Sequence, residues 1–189
     1  GYIYSRIGNP TVKEFEQRMS ALEEGSEAMA YASGMAAVSG TVLSCVKTGD
    51  HVVACKVLYG CTDRFFSEKL TDMGVDFSFI DPTDPLNFEK AIKDNTRLFY
   101  IETPANPTMD ITDIKAVCDI AKKNNIKVIV DNTFCTPYLL NPISLGADFS
   151  IHSCTKYLGG HGDVIAGVAV SKEPITKKQK QTMADYGLN

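Results

Sequence analysis

The sequence is poor in the patterns that mark metal sites, membrane spans and nucleic-acid surfaces. Its three histidines and six cysteines include no Cys-x-x-Cys pair and no zinc-ligand spacing, so we expect no metal site. No apolar run approaches the roughly 18 residues of a transmembrane helix, so we expect no association with a membrane. The 19 basic residues are outnumbered by 23 acidic ones, and this balance predicts no binding to nucleic acid.

Nucleotide-binding motifs are missing as well. No G-x-x-x-x-G-K-[ST] motif occurs, which excludes a P-loop NTPase, and the glycine run at 159–162 does not fit G-x-G-x-x-G. A nicotinamide-dependent oxidoreductase is therefore disfavoured. The composition that remains is that of a globular protein, 44% hydrophobic and 22% charged, whose cysteines need no disulfide framework in a chain of 189 residues. Reduced thiols of this kind predict a cytoplasmic protein.

Helical and strand patterns alternate along the chain. Strands are predicted at 27–32, 51–57, 76–80, 97–102, 127–130, 149–152 and 164–170. Helices are predicted at 12–22, 35–46, 62–73, 88–92 and 113–123 and again after 174, the first with a capping box formed by Thr11 and Glu14. This alternation predicts an α/β fold with a mostly parallel sheet, helices on both faces and a ligand site at the carboxyl ends of the strands.

Polar residues follow three of these predicted strands. Asp131 comes directly after an apolar strand, where it either caps the next segment or pairs with a cationic ring nitrogen. Lys156 stands between a strand and a glycine run, and it is either a surface lysine or a reactive amine. The segment 33–35 is either a simple turn or a helix N-terminus that binds a phosphate. Taken together, these features indicate pyridoxal 5′-phosphate (PLP) as the cofactor.

Longer motifs resemble one enzyme family. The segment 153–161 has the pattern Ser-x-Thr-Lys-Tyr-x-x-Gly-His, which resembles the lysine signature of the PLP-dependent enzymes of cysteine and methionine metabolism, with fold type I. Other motifs match in the same order along essentially the whole chain. They are Tyr4-Ser5-Arg6-Ile7-Gly8-Asn9-Pro10-Thr11, Ser33-Gly34-Met35, Tyr59-Gly60, Glu102-Thr103-Pro104-Ala105-Asn106-Pro107 and Val130-Asp131-Asn132-Thr133.

The resemblance implies how the cofactor is held. Lys156 would form a Schiff base with PLP, Asp131 would pair with the pyridine nitrogen, and Tyr59 would stack on the ring. The residues implied to bind the phosphate are Gly34, Met35, Ser153 and Thr155, together with Tyr4 and Arg6 reaching from a neighbouring subunit. Asn106 would lie near the ring hydroxyl, and Glu102 would support the site from behind.

The resemblance also implies an activity. The expected reaction is γ-elimination of L-methionine to methanethiol, ammonia and 2-oxobutanoate, with Lys156 and Tyr59 as the catalytic residues. A cysteine directly after Tyr59-Gly60 is similar to the methionine γ-lyases of the family, so Cys61 is expected near the substrate; alternatively it is only a small buried residue. A cystathionine γ-lyase, a cystathionine γ-synthase and an inactive PLP-binding fragment are the other interpretations.

The length and the ends of the chain lead to expectations about its organisation. Members of the family are about twice as long, so we expect further sequence before Gly1 and after Asn189, including a small C-terminal domain. Residues 1–10 are predicted to form an inter-subunit segment, and residues 11–189 the PLP-binding large domain. The resemblance further implies a homotetramer composed of two dimers.

Overall fold

The computed structural model describes residues 2–5 and 8–187. Within them, seven strands form one mixed sheet in the order β1-β7-β6-β5-β4-β2-β3. The strands are β1 (Glu27–Tyr31), β2 (His51–Cys55), β3 (Asp76–Ile80), β4 (Thr96–Glu102), β5 (Lys127–Asp131), β6 (Phe149–Ser153) and β7 (Gly167–Ser171). All the predicted strands are present, with small differences at their ends.

The direction of the strands determines where a ligand site can form. β3, β2, β4, β5 and β6 are parallel, whereas β7 is antiparallel to both β6 and β1. β7 reverses direction because no helical crossover lies between it and β6. The prediction of a mostly parallel sheet is confirmed. Since β1 has the same direction as β6, the carboxyl ends of β1, β4, β5 and β6 lie at one edge of the sheet.

Helices cover both faces of this sheet, as predicted. They are α1 (Pro10–Leu22), α2 (Gly34–Cys45), α3 (Gly60–Arg64), which continues into a π-helical segment (Phe65–Leu70), α4 (Leu86–Lys90), α5 (Ile114–Lys123), α6 (Thr136–Leu139), α7 (Pro142–Leu145) and α8 (Lys177–Gly187). Val168 and Val170 pack against Met19 of α1, whereas Ala169, on the opposite face, joins the core that contains α2. α6 and α7 were not predicted because a four-residue helix is too short to show a hydrophobic period.

The start of α1 differs from the prediction. Asn9 is the N-cap, and its side chain accepts the backbone N–H groups of Thr11 at 2.9 Å and Val12 at 3.3 Å. Pro10 occupies the first helical position, where the N–H group that proline lacks would have no intrahelical partner. The predicted capping box of Thr11 and Glu14 is therefore wrong: an asparagine and a proline start the helix before Thr11.

The hydrophobic core lies between the sheet and the helices. All of β2 is buried, and its neighbour β4 contributes Tyr100, whose ring meets Phe66 edge-on with 4.9 Å between ring centroids. Phe66 belongs to the π-helical segment, so this irregular turn packs directly on the sheet. None of the helices in the described residues combines the length and the hydrophobicity that a membrane span requires.

Candidate functional site

A cavity of about 650 Å³ opens at the edge of the sheet where β1, β2, β4, β5 and β6 end. Its wall is formed by the segments that follow these strands and by the first residues of α2. Most of the residues predicted to form the site line this cavity. They are Gly34, Met35, Tyr59, Asn106, Asp131, Ser153, Thr155 and Lys156, together with Glu102.

Two other predicted site residues do not line the cavity as the structure describes it. Cys61 is exposed, and its interaction with Tyr59, which does line the cavity, raises the pKa of Tyr59. The alternative interpretation of Cys61 as a small buried residue is therefore wrong. Tyr4 is 58% exposed and lies apart from the cavity. Arg6 lies outside the described residues.

The beginning of α2 packs closely against the end of β6. Ser33 caps the helix, and its Oγ accepts the backbone N–H of Ala36 at 3.1 Å. Gly34 and Met35 follow at the cavity, where N–H groups of a first helical turn lack intrahelical partners. A Cβ atom at Gly34 would lie 2.6 Å from Cβ of Ser153, so only glycine permits this approach. The arrangement suits an anion such as a phosphate group.

Asp131 ends β5 at the cavity and has unusual electrostatics for a carboxyl group. Burial raises the pKa of Asp131, and hydrogen bonds from Thr133 oppose that rise, one of them from the backbone N–H of Thr133 at 3.0 Å. No lysine or arginine among the described residues forms a salt bridge with it. The bond from the Thr133 N–H caps the turn that follows β5, whereas the cap position of α6 itself is occupied by Cys135. A cationic ring nitrogen would stabilise the ionised form of Asp131.

Glu102 ends β4 and is paired in register with Asp131. Its Oε2 accepts the backbone N–H of Tyr59 at 2.8 Å, and its Oε1 accepts the backbone N–H of Asn106 at 3.1 Å. Burial, reinforced by the nearby Asp131, raises the pKa of Glu102 to about 7. Glu102 thus holds the backbone of two residues that line the cavity, which is consistent with the supporting role expected of it.

Tyr59 and Lys156 are the two groups in the cavity suited to proton transfer. The interaction with the Cys61 side chain raises the pKa of Tyr59, which favours the phenol form that can donate a proton. Lys156 lies in the turn after β6, with an exposed side chain, and no carboxylate among the described residues forms a salt bridge with it.

Sequence reasoning assigned no role to several residues of the cavity wall. Thr133 accepts the backbone N–H of Ser153 through its hydroxyl at 2.9 Å and thereby connects the ends of β5 and β6. The rings of Phe134 and Tyr157 meet edge-on, with 6.0 Å between their centroids. All three stand within three residues of Asp131 or Lys156, so the neighbours of those two residues were the signal that could have found them.

The residues present fit PLP. The beginning of α2, with the hydroxyls of Ser153 and Thr155, can hold a phosphate. Asp131 is a half-buried acid without a lysine or arginine partner among the described residues, as a pyridinium ring would need. Lys156 provides an amine in the same cavity. Groups in this arrangement can carry out Schiff-base chemistry on an amino acid.

Comparison with known proteins agrees with this fit. The sequence pattern of the Cys/Met metabolism PLP-dependent enzyme family matches residues 1–188. An L-methionine γ-lyase of Porphyromonas gingivalis is 52% identical over 181 residues, which are 95% of this chain and 45% of that protein. Another from Treponema denticola is 53% identical over 175 residues, 92% of this chain and 44% of that protein.

The crystal structure of cystathionine γ-lyase from Lactobacillus plantarum complexed with L-serine matches with a TM-score of 0.94 and 41% identity, covering 98% of this chain and 49% of that one. This match confirms the predicted fold type I. The chain spans about half the length of the relatives that it matches. On the pattern match over nearly all of its residues and the identity to these enzymes, the chain belongs to the Cys/Met metabolism PLP-dependent enzyme family.

Proposed function

We propose that the protein is a PLP-dependent carbon–sulfur lyase that acts on L-methionine by γ-elimination. The observation that carries this proposal is the single cavity lined by Lys156, Asp131 and Tyr59. The identity to two L-methionine γ-lyases supports methionine as the substrate. The contact between Cys61 and Tyr59 supports it as well, because it puts the cysteine next to the proposed acid.

In this proposal the cofactor is held at several points. Gly34, Met35, Ser153 and Thr155 would bind the phosphate. Asp131 would bind the pyridine nitrogen, Asn106 would lie near the ring hydroxyl, and Tyr59 would cover the ring. The amine of Lys156 would hold the aldehyde end. When bound, PLP supplies an electron sink for negative charge that develops on the substrate.

The chain's own residues move the protons. The amine of Lys156 would remove the proton from Cα of the substrate and assist the transfer of a proton from Cβ. Tyr59 protonates the sulfur of the departing thiol. Overall, L-methionine and one water molecule give methanethiol, ammonia and 2-oxobutanoate, so all atoms are accounted for.

The proposal includes an assembly and a location. Tyr4 and Arg6 would serve the phosphate site of a neighbouring subunit, in a tetramer of two dimers with residues 1–10 at the interface and 11–189 as the large domain. Exposed apolar side chains support contact with a second copy, notably Ile3, Tyr138 and Leu139, which are 98%, 92% and 72% exposed. The cysteines of the described residues are free thiols, and this supports a location in the reducing environment of the cytoplasm.

Assays with L-methionine and with cystathionine test the proposed activity. The wild-type protein should release methanethiol from methionine, the Lys156→Ala variant should release none, and Lys172→Ala, which removes an exposed lysine away from the cavity, should behave as wild type. Cleavage of cystathionine without turnover of methionine would favour a cystathionine-processing enzyme. Cofactor binding without either reaction would indicate a non-catalytic PLP-binding domain.

A further inference from the structure

Thr133 lines the cavity and contacts both ends of the proposed cofactor site. Its backbone N–H donates to Oδ1 of Asp131 at 3.0 Å. Its hydroxyl oxygen accepts the backbone N–H of Ser153 at 2.9 Å. Asp131 is the residue proposed to bind the ring nitrogen, and Ser153 is one of the residues proposed to bind the phosphate. A residue to which the proposed reaction gives no part therefore joins the two groups that would hold opposite ends of PLP.

The hydroxyl of Thr133 takes the place of a backbone carbonyl between β5 and β6. These strands are parallel, and near their ends the N–H of Asn132 donates to the C=O of Ile151 at 2.8 Å. The regular parallel pattern would next pair the N–H of Ser153 with the C=O of Asn132. That carbonyl instead accepts the N–H of Thr136 at 2.9 Å, where the chain turns into α6. The N–H of Ser153 donates to the Thr133 hydroxyl in its place.

The position of Ser153 affects the whole phosphate end of the site. A Cβ atom at Gly34 would lie 2.6 Å from Cβ of Ser153, so the first turn of α2 rests directly on this residue. A displacement of Ser153 would therefore also disturb the helix N-terminus that is proposed to bind the phosphate. In PLP, the ring nitrogen and the carbon that carries the phosphate arm belong to one rigid ring. The separation between Asp131 and Ser153 must consequently match that ring closely.

We propose that Thr133 is a positioning residue: its hydroxyl holds Ser153 at a fixed separation from Asp131, so that one rigid cofactor can contact the ring-nitrogen site and the phosphate site together. Without the hydroxyl, the ring-nitrogen end keeps its geometry, because the bond to Asp131 comes from the backbone N–H of Thr133. Only the phosphate end loses its anchor. The inference rests on the proposed function, since it requires that PLP binds in this cavity.

Two forms of the cofactor test this role. PLP and pyridoxal, which has the same ring and aldehyde but no phosphate, are titrated into the cofactor-free full chain, and binding is followed by visible absorbance. The Thr133→Val variant keeps the shape of the side chain and the backbone N–H that donates to Asp131, but it leaves the N–H of Ser153 without its acceptor. It should bind PLP about tenfold more weakly than the wild type does, with unchanged affinity for pyridoxal.

A conservative variant and a matched control accompany Thr133→Val. Thr133→Ser retains the hydroxyl and should bind both compounds as the wild type does. Thr176→Val makes the same chemical change away from the cavity, at a hydroxyl that accepts the backbone N–H of Gln179 at 3.2 Å, and its affinity for both compounds should equal that of the wild type. Hydrogen exchange in the cofactor-free chain gives a second readout, since the Ser153 amide should exchange faster in Thr133→Val than in Thr133→Ser.

Several outcomes would overturn the role of Thr133. An equal loss of affinity for PLP and for pyridoxal in Thr133→Val would indicate a general structural defect, and unchanged affinity for both would indicate no role. A Thr133→Ser variant as weak as Thr133→Val, or equal exchange of the Ser153 amide in the two, would show that the hydroxyl does not act. If Thr133→Val does not fold, Thr133→Ala takes its place, and if that variant does not fold either the proposal is wrong. A wild-type chain that binds neither compound contradicts the proposed function itself, and the role of Thr133 with it.

Discussion

Glu102 holds the backbone of Tyr59: the N–H of Tyr59 donates to Oε2 of Glu102 at 2.8 Å, while the N–H of Asn106 donates to Oε1 at 3.1 Å. One carboxylate thus joins the segment after β2 to the loop after β4. Both segments contribute to the cavity wall, so the distance between Tyr59 and Asn106 depends on a residue that has no part in the proposed chemistry.

Replacing this carboxylate by an amide should disturb the cavity. In Glu102→Gln, one of the two N–H groups faces the side-chain NH₂ in place of an oxygen and loses its acceptor. A buried donor left without a partner reduces stability by about 1–3 kcal/mol. Because the segments of Tyr59 and Asn106 are then held less firmly at the cavity, we also expect kcat/KM to fall, by roughly tenfold to a hundredfold. Steady-state assays with L-methionine measure the fall in kcat/KM. The control is Glu16→Gln, which makes the same chemical change at a residue that accepts the backbone N–H of Ala30 and does not line the cavity. Wild-type kinetics in Glu102→Gln would contradict a positioning role for Glu102.

The raised pKa of Glu102 also predicts how stability depends on pH. The folded carboxyl has a pKa of about 7 and the unfolded one about 4.5, so the folded state binds the proton more tightly. Between these values unfolding releases a proton, and the free energy of unfolding therefore falls as the pH rises. Glu102→Gln lacks this contribution. The advantage in free energy of unfolding that the wild type has over the variant should therefore shrink as the pH rises from about 4.5 to about 7. Urea denaturation of the cofactor-free proteins at several pH values measures this difference in free energy of unfolding. A difference that does not change with pH would contradict the raised pKa of Glu102.

Much of the site could be predicted from the sequence because its residues follow strands that are easy to recognise. The apolar run before Asp131 and the strand before Ser153 and Lys156 predict parallel strands, and parallel strands bring their carboxyl ends to one edge. Gly34 and Met35 joined the site for the same reason, since they begin the helix that follows β1. Local pattern and topology were sufficient for these positions.

The remaining features depend on contacts between distant parts of the chain. Glu23 follows α1 and His152 lies on β6, and neither hydrophobic periodicity nor spacing indicates that they meet. The same holds for Glu102, whose contacts with Tyr59 and Asn106 depend on how two loops fold over the sheet edge. Asn9 as the cap of α1 was missed for a different reason: Thr11 and Glu14 offered a competing local pattern, and the position of Pro10 decided between them.

We expect the burial of His51 to make the protein less stable at acidic pH. The ring is fully buried, with Nδ1 2.7 Å from Oγ1 of Thr96 and Nε2 2.9 Å from Oγ of Ser78. Burial lowers the pKa of His51 below its usual 6.5, so the unfolded state binds the proton more tightly. The free energy of unfolding should therefore decrease as the pH falls from 6.5 towards the lowered pKa.

The His51→Gln variant separates this effect from the other titrating groups. It is less stable than wild type at neutral pH because it changes a buried hydrogen-bonded residue. Its disadvantage should become smaller as the pH falls below 6.5, since only the wild type has the histidine to protonate on unfolding. Denaturant titrations at several pH values measure the two curves, and parallel curves would show that His51 does not contribute.

Gly34→Ala should weaken cofactor binding. The added Cβ would lie 2.6 Å from Cβ of Ser153, so α2 and the end of β6 must separate at the proposed phosphate site. Overpacking of this kind destabilises by about 1–3 kcal/mol, and we expect the PLP dissociation constant to rise roughly tenfold. Gly162→Ala is the control, because a Cβ there meets no atom within 4 Å. Equal affinities in both variants would argue against this wall as the phosphate site.

Tyr59→Phe should separate proton donation from cofactor binding. The phenylalanine ring can still cover the cofactor, so the affinity for PLP should change little. The variant has no phenol to protonate the leaving thiol, and loss of a general acid typically slows a reaction by about 10²–10⁴-fold, so kcat with L-methionine should fall by that order. Lys172→Ala, which removes an exposed lysine away from the cavity, should leave kcat unchanged. A Tyr59→Phe enzyme with full kcat would mean that another group, or water, protonates the sulfur.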